Sequence, residues 1–132
     1  MERELPRDLA CGARARGDGC GPARAVDGDP DTAWVAPGAS RGRLTVDLGR
    51  TRQIDRIRLV EDIRQGQQVE HALVEAELTD GTWRKVAETG VIGAGRILLL
   101  PGPVTARRWR LRITGSRAAV NVAQFGLYRS AV

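Results

Sequence analysis

The chain of 132 residues is poor in the side chains that most often carry catalysis. It has one histidine, His71, and only 4% of its residues are aromatic. No serine has the strand–turn–helix setting of a nucleophile elbow, and neither cysteine has a base nearby in sequence. We therefore expect a chain with no catalytic residues and no enzymatic activity of its own.

Long apolar runs are also missing. The longest, ILLL at 97–100, is the size of a strand and too short to span a bilayer. The first residues, MERELPRDLACGARARG, contain no apolar h-region, so we expect no secretory signal in this chain. Its localisation would then follow from a parent protein, and would be extracellular if that parent is secreted.

Lysine is almost absent, and arginine supplies the net charge of +5. A basic chain raises the question of nucleic-acid binding. Here the arginines are spread along the chain and alternate with acidic or apolar residues, as in RQIDRIRLVED. This pattern is typical of solvated strand faces, so nucleic acid is not an expected partner.

Only two cysteines are present, Cys11 and Cys20, in a segment rich in glycine and arginine. A disulfide between them would close a short loop and stabilise the fold by roughly 2–3 kcal/mol. Two free thiols are the alternative, and without a His pair nearby a zinc site is not expected. Composition divides the chain into a poorly ordered N-terminal segment, 1–21, tied by such a disulfide if it forms, and a folded domain, 22–132.

Apolar residues in the folded part recur with a period of two. The alternation marks strands at 43–49, 54–61, 72–78 and 108–114, separated by turns rich in glycine and proline. TDGT at 79–82 predicts a hairpin, because Asp-Gly readily adopts positive φ. Many short strands without an amphipathic helix predict an all-β fold, an antiparallel β-sandwich or jelly roll.

The stretch AVDGDPDTAW at 25–34 concentrates oxygen ligands. Asp27, Asp29 and the Thr32 hydroxyl suit calcium, which takes six to eight oxygen ligands from an irregular loop. Asx turns leading into a strand explain the same residues equally well. A catalytic carboxylate pair is disfavoured, because a Gly/Pro loop offers no apolar pocket to keep one carboxyl protonated.

This stretch, followed by LTVDLGRTRQIDRIRLVE, resembles the discoidin domain. That family includes the C-type domain of coagulation factors 5 and 8 and carbohydrate-binding modules. The segments RLVEDIRQGQQVEHALVEAELTDGTWRKVAETGVIGAGRILLL and PVTARRWRLRITGSRAAVNVAQFGLY resemble, more narrowly, the C-terminal module of family-29 α-L-fucosidases. The resemblance covers about residues 22–128 and implies a galactose-binding-domain-like jelly roll of about eight strands.

The resemblance also implies a structural calcium near one end of the sandwich. Where the family usually has glutamate among the ligands, this chain has Gln124, which costs one negative charge. Trp34 is implied to be a core residue. The implied ligands are Arg24 and Ala123 through their carbonyls, with Asp27, Asp29, Thr32 and Gln124.

The expected function is that of a non-catalytic carbohydrate-binding module of a fucosidase-like glycoside hydrolase, binding a fucose- or galactose-containing glycan weakly. Arg64, His71 and Asn121 are the candidate glycan contacts, because no aromatic is left in an obvious loop position. The alternative is a structural appendage that braces a neighbouring catalytic domain. Membrane binding is not expected, because the loops are mostly small or polar.

Overall fold

The computed structural model describes residues 8–29, 31–36, 42–64, 66 and 68–129. In this part the only helix is a single 3₁₀ turn, and none is long and apolar enough to cross a membrane. The elements in chain order are β1 (Arg14–Gly17), the 3₁₀ helix (Pro22–Ala25), β2 (Trp34–Ala36), β3 (Gly42–Glu61), β4 (Val69–Glu77), β5 (Trp83–Thr89), β6 (Arg96–Ser116) and β7 (Val120–Tyr128).

Every strand pairing is antiparallel, in the order β2-β7-β3-β6-β4-β5 with β1 on β3. The two long strands, β3 and β6, belong to both layers. The ladder between β3 and β6 is interrupted between Asp47 and Arg52 and again between Ile54 and Arg56. Irregularities of this kind allow a strand to bend. The predicted strands at 43–49 and 54–61 are therefore two halves of β3.

The first layer contains β1, the first half of β3, the second half of β6, β4 and β5. The second layer contains β2, β7, the second half of β3 and the first half of β6. This arrangement confirms the predicted all-β antiparallel sandwich. The TDGT hairpin is also confirmed, since β4 pairs with β5 across it and Gly81 has a φ of +86°.

Apolar side chains of both layers alternate inward and form one core. Trp34 is fully buried, as predicted, and its indole Nε1 donates a hydrogen bond of 2.6 Å to the Asp18 carbonyl. A buried indole N–H needs such a partner, so the loop at Asp18 is fixed to the core. The largest fully buried side chains are Trp34, Trp109, Phe125, Leu44, Ile54, Ile57, Leu59, Leu111, Ile113 and Leu127.

Residues 8–21 differ from the expected poorly ordered segment. β1 pairs with the first half of β3, and the Leu9 N–H donates to the Leu127 carbonyl at 2.8 Å. One Asp8 carboxylate oxygen accepts the N–H groups of Ala10, at 2.9 Å, and of Leu127, at 3.0 Å. The open edges of β3 and β7 supply these hydrogen bonds, which composition could not reveal. Residues 1–7 lie outside the described part.

The two cysteines form no disulfide in this structure; both are free and exposed. Cys11 lies in the turn before β1, whereas Cys20 follows β1 and bridges to Val35 of β2. Four extended residues of β1 lie between these turns, at about 3.3 Å per residue. The two thiols are free in this structure, and the disulfide between Cys11 and Cys20 stays a prediction.

A buried carboxylate closes one end of the sandwich. Glu61, the last residue of β3, is 2% exposed. Its Oε2 accepts the backbone N–H groups of Gln68, at 2.6 Å, and Val69, at 2.9 Å, and its Oε1 accepts that of Gly93 at 3.2 Å. The loops that follow β3 and β5 are thus both fixed to the same side chain.

We expect Glu61→Ala to lower the free energy of unfolding by about 3 kcal/mol, because buried donors to a charged acceptor lose their partner. Urea denaturation measures the change. Glu70→Ala is the matched control, since this exposed neighbour should change stability by less than about 0.5 kcal/mol. Equal losses in the two variants would contradict the structural role of Glu61.

Candidate functional site

Four segments meet at the end of the sandwich that Glu61 closes: the described residues of the loop before β2 (22–29 and 31–32), and residues 62–64, 90–95 and 118–121. Arg64 donates from Nη2 to the Asp31 carbonyl at 3.1 Å, and the Asp62 N–H donates to the Asn121 carbonyl at 2.8 Å. Glu61 holds the segment that contains Gly93. We call this region the loop end.

The Arg64 guanidinium at the loop end is exposed and is nevertheless held in place. Nε donates to Asp62 Oδ1 at 3.0 Å and Nη2 to Asp62 Oδ2 at 2.7 Å, a two-point ion pair. The Arg64 side chain is nevertheless 67% exposed. The hydrogen bond from Arg64 lowers the pKa of Asp62, and the same pair raises the pKa of Arg64. A fixed planar donor therefore faces solvent.

Asn121, the second predicted contact, lies beside this pair. Its carbonyl accepts the Asp62 N–H, and its Nδ2 donates to the Ala119 carbonyl at 3.3 Å. Exposed aliphatic side chains, Ile63 at 46% and Val91 at 42%, accompany these polar groups. Every Trp, Tyr and Phe of the chain lies in a strand, so the loop end has no exposed aromatic platform.

His71, the third predicted contact, lies elsewhere. It is on β4 and faces outward from the first layer, where Nδ1 hydrogen-bonds with the Thr114 hydroxyl and Nε2 with Glu88 Oε2 at 2.5 Å. Lys85 and then His71 lower the pKa of Glu88 through their hydrogen bonds. Within the described residues, no contact joins His71 to Arg64 or Asn121, so the predicted triad is separated into two places.

Four of the predicted calcium ligands come together in the loop that precedes β2. The Thr32 hydroxyl donates to Asp27 Oδ2 at 2.5 Å, and lies 3.2 Å from the Asp29 carbonyl and 3.4 Å from the Arg24 carbonyl. Asp27 Oδ1 accepts the Asp29 N–H at 2.9 Å, which is an Asx turn. The loop thus contains Asx turns and also a group of oxygens, which we call the half-shell, and calcium binding stays a prediction.

Burial raises the pKa of Asp27, but the hydrogen bonds from the Thr32 hydroxyl and the Asp29 N–H outweigh it, and the net pKa is lowered. The carboxylate is therefore held in the charged form that a cation requires. In the part of the chain that the structure describes, no cluster of three or more His, Cys, Asp or Glu side chains could hold a metal. Backbone and hydroxyl oxygens would have to supply most ligands.

The two remaining predicted ligands, Ala123 and Gln124, lie in β7. Ala123 is buried, whereas Gln124 faces outward from the second layer. Gln124 Nε2 donates to Asp8 Oδ2 at 3.2 Å and to the Tyr128 hydroxyl at 3.0 Å. The Gln124 side chain is therefore engaged with Asp8, a residue of the segment that was predicted to be poorly ordered.

The fold and this arrangement agree with a sequence match: residues 10–127 match the family model of the F5/8 type C domain. The chain belongs to the F5/8 type C domain family. Members of this family are non-catalytic binding modules, and the predictions of the family and of an accessory, non-enzymatic chain are confirmed. No curated protein matches this F5/8 type C domain in sequence.

Two solved structures that are similar to this chain are regions of much longer chains. SpGH29 is 28% identical over 96% of this chain and 28% of its own, with a TM-score of 0.89. A Ruminococcus gnavus GH29 fucosidase, crystallised with fucose, is 25% identical over 95% of this chain and 27% of its own, with a TM-score of 0.83. The domain thus spans under a third of these chains.

A third similar structure is an isolated module. The chitosan-binding module 1 of a chitosanase/glucanase from Paenibacillus sp. IK-5 is 20% identical over 95% of this chain and 100% of its own, with a TM-score of 0.83. At this identity the likeness establishes the shared fold alone.

Replacing Arg64 tests the geometry of the loop end. We expect Arg64→Ala to raise the pKa of Asp62 towards the ordinary value of about 3.9, because the carboxylate loses its ion pair. Since the folded pKa of Asp62 is lowered, the pair stabilises the fold above the ordinary pKa and loses its effect as the pH falls through the lowered value. The pair is exposed, so the loss is below about 1 kcal/mol.

Carbon-13 NMR of the Asp carboxyl groups, from neutral to acid pH, measures this change. Asp80 is the internal control, because the Thr82 hydroxyl and N–H lower its pKa independently of Arg64. An Asp62 titration that is the same with and without Arg64 would show that the ion pair is absent in solution.

Proposed function

We propose that this F5/8 type C domain is the glycan-binding accessory module of a fucosidase-type glycoside hydrolase, and that its loop end binds a fucose- or galactose-containing glycan weakly. The observation that carries the proposal is the Arg64 guanidinium, which is fixed by Asp62 and the Asp31 carbonyl and yet faces solvent. A donor that is already ordered does not lose side-chain entropy on binding.

The chemistry of a sugar matches the loop end. A sugar ring presents hydroxyls around its rim and apolar C–H groups on its faces. Arg64 and Asn121 supply polar contacts, and Ile63 supplies an exposed apolar surface beside them. The loop end has no exposed aromatic ring on which a sugar could stack. We therefore infer that its affinity for one sugar is low and that binding depends on several sugar units.

The likeness to GH29 proteins supports this assignment. SpGH29 and the R. gnavus fucosidase each contain a region of this fold within a chain more than three times as long. By analogy, the domain would be joined to a catalytic domain and hold that domain close to its glycan.

We further propose a structural calcium at the half-shell of Arg24, Asp27, Asp29 and Thr32. The other three oxygens lie 2.5–3.4 Å from the Thr32 hydroxyl, separations suited to ligands that share one cation at 2.3–2.6 Å. A cation there would stiffen the loop that carries the Asp31 carbonyl, and hence the position of Arg64. Because the Gln124 amide is directed to Asp8, we expect modest affinity.

A second candidate function, bracing a catalytic domain, is favoured by one surface. Ile97 and Leu99 are 63% and 71% exposed on the outward face of β6. They lie across the ladder from Arg58 and Arg56. Over this half of β6, among the described strands, the only partner is β3, so one backbone edge is open. A neighbouring domain could cover both the apolar pair and the edge.

Glycan binding is tested by titrating the domain with fucose and galactose, followed by NMR of backbone amides. We expect saturable shifts at the loop end and about a tenfold weaker affinity for Arg64→Ala, equivalent to about 1.4 kcal/mol. Arg84→Ala, which removes an exposed arginine from β5 outside the loop end, should bind like the wild type. No response at millimolar sugar would contradict the proposal and leave bracing as the function.

Calcium is tested by thermal unfolding in calcium and in EDTA. Binding to the native state alone raises Tm, and we expect about 4 °C for each 1 kcal/mol that calcium adds, because the unfolding entropy of 132 residues is roughly 0.28 kcal/mol/K at Tm. Asp27→Ala should abolish the difference, whereas Asp80→Ala, a similarly hydrogen-bonded carboxylate in the hairpin turn, should retain it. Equal Tm values for the wild type in the two buffers would rule out the metal.

A further inference from the structure

We propose that a cleft on the outer face of the first layer binds the carboxylate of an acidic saccharide. The cleft has a volume of about 490 Å³ and lies away from Arg64 and Asn121. We call it the arginine cleft; its lining residues are Asp18, Gly42, Arg43, Arg112, Ile113 and Thr114.

Two arginines form its floor. Arg43 of β3 and Arg112 of β6 are direct partners in the antiparallel ladder. Their neighbours Leu44 and Leu111 are fully buried, so the alternation of the strands turns both arginines outward on the same face. Like charges directly opposite each other destabilise a strand pair. A bound anion between Arg43 and Arg112 would relieve this repulsion.

Nearby carboxylates offset only one arginine of the pair, because Arg112 shares Glu75 with Arg110 whereas Arg43 has no ion-pair partner among the described residues. Glu75 gives one oxygen to Arg110 at 2.7 Å, and its other oxygen is 3.5 Å from Arg112 Nη1. The Arg43 guanidinium has no ion-pair partner in the part of the chain that the structure describes. Arg43 is also exposed, so its charge is available to a ligand.

The rim of the arginine cleft adds hydrogen-bonding groups. Asp18 sits against Arg43, whose N–H donates to Asp18 Oδ2 at 3.0 Å. Thr114 lines the opposite side and hydrogen-bonds with His71. His71, predicted as a glycan contact, therefore lies at the border of this cleft and not at the loop end.

These groups fit an acidic sugar better than other anions. Two guanidinium groups bind a carboxylate through paired N–H donors, and an aspartate with a hydroxyl can hold the sugar hydroxyls beside it. The volume lies within the range of small-ligand sites. Nucleic acid fits poorly, because no aromatic side chain among the described residues lines the cleft for base stacking.

The inference rests on the proposed function, because it assumes that the domain binds saccharides. It places the acidic saccharide on a different surface from the loop end. The experiment is an NMR titration with glucuronate and, separately, with glucose. We expect glucuronate to bind at least about tenfold more tightly and to shift the amides of residues 42–45 and 111–114. Arg43→Gln and Arg112→Gln should each abolish the preference for glucuronate.

Arg58→Gln is the matched control, since it removes an exposed strand arginine from the other layer. Unfolding curves of the three variants separate a binding loss from a folding defect. Equal affinities for glucuronate and glucose, or equal losses in Arg43→Gln and Arg58→Gln, would overturn the inference. Tighter binding of a single-stranded oligonucleotide than of glucuronate at these amides would also overturn it.

The two glycan proposals fail separately. Fucose binding that depends on Arg64, without any glucuronate preference, overturns only the arginine cleft. Glucuronate binding that depends on Arg43, without any response to fucose or galactose, supports the cleft and overturns only the loop-end site.

Discussion

The loop end depends on one buried carboxylate. Glu61 ends β3, where both of its oxygens accept backbone N–H groups from the segments that follow β3 and β5. All three donors are backbone N–H groups, so the Glu61 carboxylate is the one side chain on which these hydrogen bonds depend. The next residue, Asp62, then holds Arg64 and donates its own N–H to the Asn121 carbonyl. The candidate glycan contacts are thus positioned by the two consecutive acidic residues at the end of a strand.

The sequence indicated the fold well because alternation is a strong signal over strands with one buried face. The hairpin at 79–82 and the strand at 108–114 lie where the pattern predicted, and Trp34 is in the core as the resemblance implied. The alternation could not show that residues 43–49 and 54–61 form one bent strand. Both segments alternate in the same way, and the bend arises from pairing with β6 on either side of an irregularity.

The site was less predictable, because side-chain partners come from distant parts of the chain. Arg64 and Asn121 were expected together and do share Asp62, but His71 faces the outside of the first layer beside Thr114. Asp8 was missed altogether, since its role is to accept N–H groups at the edge of β7. It also rationalises Gln124: a glutamate there would place a second carboxylate about as close to Asp8 as the amide now is, at 3.2 Å.

The sharing of β3 and β6 between both layers has a consequence for cooperativity. Neither layer is a complete unit, because each contains half of both long strands and their backbone is continuous through the bend. Opening one layer therefore removes hydrogen-bond partners from the other, which favours unfolding as one unit over separate opening of the halves. The loop end and the arginine cleft are then coupled through the global stability of the domain, even though no side-chain network joins them among the described residues.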